Sequence, residues 1–122
     1  MDVKCLDTYA LIEISKGNPL FVQYLELECI VPDLILAEFY GVLLREQGEE
    51  TADFWLKKLE GCSAPVARDI LIKAVHYRHE NRKQNLSFFD CVGYIFAREK
   101  GMKFVTGDKE FKGKEGVEFT NK

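Results

Sequence analysis

Residues Leu34 to Leu44 read LILAEFYGVLL, a run that is apolar or glycine at every position except Glu38. Taken as a helix, the run is apolar on all sides, which predicts an element lying inside the protein. An unpartnered carboxylate in such a place is costly, because a low-dielectric interior does not replace its lost hydration. The usual outcome is a raised pKa or a bound cation. Glu38 therefore requires partners. Three further acids, Asp7, Asp90 and Asp108, each stand at the edge of an apolar segment.

Working outward, Asp33 is the expected N-cap of this helix, which the pattern carries from Leu34 to Gln47 and stops at Gly48. Gly41 is costly in a helix interior and predicts close packing on the face that bears Glu38. A buried ion pair with an Arg or Lys is the competing account of Glu38. Upstream, Val3 to Asp7 (VKCLD) reads as a first strand ending on an acid, followed by a helix TYALIEISK that Gly17 and Pro19 close. Asp7 then sits at a strand's carboxyl end, where open α/β sheets bind ligands. Asp7 or Thr8 is equally suited to capping the next helix. Pro19 to Glu28 reads as a second helix, with Leu20, Tyr24 and Leu27 at helical spacing, and Glu28 to Val31 as a short strand stopped by Pro32.

Downstream, Glu49 to Glu60 is an amphipathic helix with Phe54 and Leu59 opposite its charged face and Trp55 beside them; Gly61 ends it. Residues 62–66 (CSAPV) hold a short extended segment. A polar-rich helix from Ala67 to Gln84 carries Arg68, Lys73, Arg78, Arg82 and Lys83. Such bases can follow a phosphate backbone, with Tyr77 stacking on a nucleobase, but a charged helix face is more often simply solvated. His76 and His79 share that helix without an acid or thiol to complete a metal set. In Leu86 to Gly101 (LSFFDCVGYIFAREKG), Ser87 is the N-cap and Asp90 the N3 residue of a capping box, while Phe88, Phe89, Cys91 and Val92 place this helix start in the core. Lys103 to Val105 is a strand leading into Thr106, Gly107 and Asp108, where Asp108 also suits the N-cap of the following KEF turn. A last strand near Val117 to Phe119 closes the sheet edge, and Lys109, Lys112 and Lys114 make the tail basic enough to help hold a phosphate.

Composition bounds the function. At 122 residues and 47% hydrophobic, the chain suits one domain spanning 1–122. A formal charge of −3 argues against coating nucleic acid by bulk electrostatics, though not against a local site. No apolar run approaches the ~18 to 20 residues of a membrane span, and an acid stands where a secretory signal has bases. A soluble, cytoplasmic protein with no membrane role is expected. Cys5, Cys29, Cys62 and Cys91 form no C-x-x-C pair and read as reduced packing residues.

The order of D-T at Asp7 and Thr8, A-E at Ala37 and Glu38, S-F-F-D from Ser87 to Asp90, and V-T-G-D from Val105 to Asp108 resembles the PIN-domain nucleases, particularly the small VapC-like toxin-type members. The resemblance covers almost the whole chain. Each motif is short, and their order is what makes the set specific. Tyr9 departs from the Asn or Ser that many members place after D-T. The basic helix before Leu86 is not diagnostic of the family.

The resemblance implies a Rossmann-like, three-layer α/β/α sandwich with a mostly parallel central sheet, in which the four acids converge on Mg2+ or Mn2+. It assigns Asp7 and Asp90 to the principal metal and Asp108 to the same or a second one. Glu38 binds metal through water or orients the nucleophile, and Thr106, Thr8 and Ser87 act as supporting groups. Physical chemistry agrees: clustered carboxylates repel and raise one another's pKa values, so such a cluster makes sense chiefly as a hard-cation site. The expected activity is metal-dependent endoribonuclease hydrolysis of phosphodiesters by the toxin of a toxin–antitoxin pair, with RNA, an antitoxin and a second copy of the chain as partners. Two alternatives stay open: a PIN-like module that binds RNA or protein without catalysis, and an RNA-processing nuclease outside any toxin–antitoxin system. A phosphoacceptor receiver domain is disfavoured because Asp7 lacks an adjacent acid, and a haloacid-dehalogenase-like phosphatase because Asp7-Thr8-Tyr9 is not D-x-D.

Overall fold

In the computed structural model, which describes residues 2–121, five short strands form one sheet: β1 (Lys4–Leu6), β2 (Cys29–Pro32), β3 (Ser63–Ala64), β4 (Lys103–Thr106) and β5 (Val117–Phe119). They lie in the order β3-β2-β1-β4-β5, and every pairing is parallel. Parallel strands need crossover connections, here supplied mainly by α1 (Thr8–Ser15), α2 (Pro19–Val22), α3 (Asp33–Glu46), α4 (Glu49–Leu59), α5 (Arg68–Glu80) and α6 (Phe88–Lys100). Successive strand side chains point to opposite faces, and the cores follow that alternation. Cys5 and Phe104 enter one core with Ile70, Ala74, Cys91 and Phe96, whereas Leu6 and Val105 enter the other with Leu11, Ile35, Phe39 and Leu59. The result is a three-layer α/β/α sandwich, wholly rather than mostly parallel. Among the described residues no helix is long and apolar enough to cross a membrane.

Strand order places the site. The chain leaves β1 for β2 on one side and returns at β4 on the other. The carboxyl ends of β1 and β4 therefore flank a topological switch point, the crevice where open α/β sheets take ligands. Asp7 follows β1, and Thr106 ends β4.

Several expectations change in three dimensions. The helix α3 is not buried all round: Ile35, Leu36, Phe39 and Leu43 face the core, whereas Ala37 is exposed and Leu44 is 46% exposed. The helix packs against α1, α4 and α6 and leaves Ala37 and Leu44 toward solvent. Asp33 is the first helical residue and not the cap, since Pro32 precedes it and no side chain caps the helix. Gly41 has open space where a Cβ would project, so the expected crowding is absent there. It occurs instead at Gly93, where a Cβ would lie 2.8 Å from Phe104 and 3.1 Å from Ile35, because α6 packs directly onto β4 and α3.

The second helix stops at Val22 and continues as a 3-10 turn, Gln23–Glu26, because Tyr24 is drawn inward while Leu20 and Leu27 face solvent. The Tyr24 hydroxyl donates to Glu118 on β5, which also pairs with Lys4 of β1 at 2.6 Å. Burial raises the Glu118 carboxyl, but these two donors outweigh it and hold its pKa below the usual value. In α4 the buried stripe runs through Ala52 and Leu59 with Trp55 packed beside it; Phe54, on the opposite phase, is 59% exposed. The basic helix ends at Glu80, short of Gln84. All four cysteines are free thiols, but Cys29 and Cys62 are neighbours in space, and the Cys29 thiol lowers the Cys62 pKa.

The two glycines should respond oppositely to alanine. Gly41→Ala is expected to raise unfolding free energy by about 0.5–1 kcal/mol through helix propensity. Gly93→Ala is expected to lower it, because overpacking costs about 1–3 kcal/mol. Urea midpoints at constant m-value measure both.

Candidate active site

Asp7 is the N-cap of α1, its Oδ1 accepting the Ala10 N–H at 2.8 Å. Its own N–H donates to the Val105 carbonyl at 3.3 Å, tying the end of β1 to β4. Capping accounts for only one carboxylate oxygen. Oδ2 is buried without a hydrogen-bond partner among the described residues, and the whole residue is 0% exposed. Burial pushes the Asp7 carboxyl up to about 8, against the Thr106 hydroxyl and Ala10 amide; the charges of Asp90 and Asp108 push it further in the same direction.

Asp90 occupies the first turn of α6, its N–H donating to the Ser87 hydroxyl at 3.0 Å. The reciprocal bond of a capping box, from the Ser87 amide to the Asp90 carboxylate, is not formed among the described residues, and the carboxylate is left to face the other acids. Burial raises its pKa to about 6, with Ser87 opposing and Glu38 and Asp108 adding to the rise. Glu38 accepts a hydrogen bond from the Thr8 hydroxyl at 2.5 Å, joining α3 to α1. No Arg or Lys pairs with Glu38 among the described residues, so the ion-pair account of this carboxylate fails. Glu38 is half-buried rather than enclosed.

Asp108 caps the 3-10 turn Lys109–Phe111 through the Glu110 N–H at 3.0 Å, and its own N–H donates to the Thr106 hydroxyl at 3.0 Å. Thr106 is fully buried. Between them Gly107 is a positioning residue that the sequence reading passed over. A Cβ there would fall 2.1 Å from the Tyr9 ring and 2.7 Å from the Thr120 carbonyl. The signal was the glycine itself, set between two functional side chains, with Tyr9 as its unrecognised neighbour.

Asp7 and Asp108 follow β1 and β4, Thr8 ties Glu38 to the start of α1, and Asp90 lies in the first turn of α6; Asp90 and Asp108 push the Asp7 carboxyl up, and Glu38 and Asp108 do the same to Asp90. Among the described residues no three Asp, Glu, His or Cys side chains stand close enough to hold an ion as they are. The donor chemistry nevertheless suits a hard divalent cation. Every donor is an oxygen, and among the described residues Asp7 Oδ2 is a buried acceptor without a hydrogen-bond partner. Of the histidine pair, His76 instead pairs with Glu80 at 3.4 Å. Of the tail lysines, Lys112 lies over Phe119 and Lys114 over Tyr77, contacts that hold both against the protein.

A family model described as PIN domain matches residues 4–116. No curated protein matches the chain. Solved structures do. The VapC20 toxin of Mycobacterium tuberculosis, described as cleaving the sarcin-ricin loop, is 16% identical with a TM-score of 0.80, covering 98% of this chain and 100% of that one. A DNA-bound VapBC of Salmonella typhimurium is 18% identical with a TM-score of 0.75, covering 98% of each. A toxin–antitoxin complex from Klebsiella pneumoniae is 21% identical with a TM-score of 0.73, covering 94% of this chain and 95% of that one. At these identities the likeness is one of fold.

The buried Asp7 sets a pH dependence for the metal-free protein. An acid whose folded pKa, about 8, exceeds its unfolded value of 3.8 holds its proton more tightly when folded. Its stabilising effect is complete below the unfolded value and is lost as pH rises through the folded one. Without metal, stability should fall between those values, and Asp7→Asn should flatten the fall and raise Tm at pH 8. Thermal melts in chelator across that range measure both effects.

Proposed function

The chain belongs to the PIN domain family, and from that premise we propose that it is a Mg2+- or Mn2+-dependent endoribonuclease, the toxin of a toxin–antitoxin pair. The observation that carries this reading is Asp7 Oδ2, at the switch point a buried acceptor without a donor among the described residues, with Asp90 and Asp108 in its field. In this reading residues 1–122 act as one domain in the cytoplasm, with RNA as substrate and an antitoxin and a second copy as partners. The fold likeness to complexes described as VapBC and toxin–antitoxin supports the antitoxin partner.

Asp7 and Asp90 would hold the principal ion, Asp108 the same or a second one, and Glu38 would bind through water or orient the attacking water. When bound, a divalent ion lowers the pKa of water and offsets charge on the phosphate oxygens during in-line attack. The surrounding residues keep the oxygens in place. Thr8 holds Glu38, while Thr106 receives the Asp108 amide and lies against Asp7. Ser87 orders the first turn of α6 by accepting the Asp90 N–H. The spacing of the acids favours a second reading, a PIN-like module that binds RNA or protein without catalysis. A third reading, an RNA-processing nuclease outside any toxin–antitoxin system, is distinguished by the lack of a small neighbouring reading frame for a DNA-binding partner.

Purified protein should cut a mixed structured RNA pool with Mg2+ or Mn2+ and not with chelator, and Asp7→Asn or Asp90→Asn should abolish cutting. Thr8→Val should reduce it by about 10- to 100-fold, as for partners that orient a ligand. Equal activity in all variants would sink the four-acid mechanism, whereas metal binding without cleavage would favour the binding module.

A further inference from the structure

An open cavity of about 470 Å³ lies between the end of α5 and the start of α6, with Arg78, His79, Arg82, Asn85 and Phe88 in its wall. Its position follows from the chain path. After α5 the backbone returns through buried Leu86 to Ser87, the cap of α6. Leu86 and Phe88 both line the cavity, flanking Ser87, and Asp90 follows in the same helical turn. The cavity therefore adjoins the helix start that carries Asp90.

Its charge is unspent. Arg78 Nε donates to the Leu86 carbonyl at 2.8 Å, and Arg82 Nη1 to the His79 carbonyl at 3.0 Å. Each bond uses one of five guanidinium donors. Among the described residues neither arginine has a carboxylate within 4.0 Å, whereas Arg98 pairs with Glu115 and Lys73 with Glu99. Lys114 adds a third base at the rim, its Nζ donating to Gln84 Oε1 at 3.0 Å.

The helix dipole alone favours bases at a helix C-terminus, and it accounts for Arg78 lying there. It does not account for a recess walled by guanidinium groups, a half-buried aromatic ring and an exposed side-chain amide together. A bare anion has no use for Phe88, and an apolar peptide has no use for two unpaired arginines. A nucleotide uses all of them, through its phosphate, the face of its base and the edge of its base. A basic recess also offsets the repulsion that four carboxylates exert on a polyanion arriving at the neighbouring edge.

We propose that this cavity is a subsite for one nucleotide of a single-stranded RNA, adjoining the phosphate presented to the acids, with Arg78 and Arg82 on its phosphate and Phe88 stacked on its base. Asn85 and His79 face the base edge. The proposal rests on the nuclease reading for its substrate, and its test separates the two. The variants are Arg82→Glu and Phe88→Leu, checked for folding by circular dichroism. Arg78 is spared because its bond to Leu86 is structural.

With Mn2+ and a single-stranded oligoribonucleotide, each variant should raise KM on the order of tenfold while kcat stays within about twofold. Arg82→Glu should also flatten the salt dependence of binding by roughly one phosphate contact. In chelator, the same oligonucleotide should bind the wild type and shift the Arg82 Hε and Phe88 ring resonances. Cleavage by the wild type with unchanged KM and salt slope in both variants overturns the subsite and leaves the nuclease intact. Binding that maps to Arg82 without any cleavage keeps the subsite and removes the nuclease. If an acidic peptide, and not the oligonucleotide, shifts these resonances in chelator, the cavity is a protein-docking site and the proposal is overturned.

Discussion

The Asp7 carboxylate is the group on which the arrangement at the sheet edge depends. One of its oxygens caps α1, and its backbone N–H joins the end of β1 to β4, so the residue couples a helix start to the central strand pair. Its other oxygen is buried without a donor among the described residues. A protein sustains such a group only by protonating it or by bringing it a positive charge, since desolvating an ionised carboxylate is costly. The same residue therefore serves the fold through one oxygen and holds the second in reserve.

The remaining acids are placed by different devices, each common in proteins for structural reasons. Ser87 orders the start of α6 and Asp108 caps a short turn, while Glu38 is held from α1 by Thr8. None of these bonds is unusual alone. What distinguishes the group is that burial raises Asp7 and Asp90, and the charges of nearby acids raise them further. Close packing beneath, at Gly93 and Gly107, lets α6 and the turn after β4 approach near enough for this to happen. On the far side of Ser87 the charge changes sign, so that an acid edge and an unpaired basic recess adjoin across one helix start.

The local motifs of the chain were legible because each rests on short-range chemistry. Alternation marked the strands, glycine and serine marked helix ends, and the four acids stood out against apolar neighbours. Burial was less legible, since it depends on which side of an element meets another. Thus α3, apolar all round in sequence, exposes Ala37 and Leu44, and Phe54 faces solvent although Leu59 of the same helix is buried. Crowding was assigned to Gly41 and occurs at Gly93, because local pattern records the cost of a glycine and not what lies opposite it.

The sequence by itself determined the fold class and the family and singled out four acids, because periodicity, capping and residue order are properties of neighbours along the chain. Tertiary structure alone decided that Asp7 keeps one unpartnered oxygen, that Thr8 and not a base answers Glu38, and that Cys29 meets Cys62. It also decided that Arg78 and Arg82 border a recess beside Asp90 instead of an open helix face. These facts depend on contacts between segments distant in sequence. Strand order and helix packing create those contacts, and no local pattern encodes them.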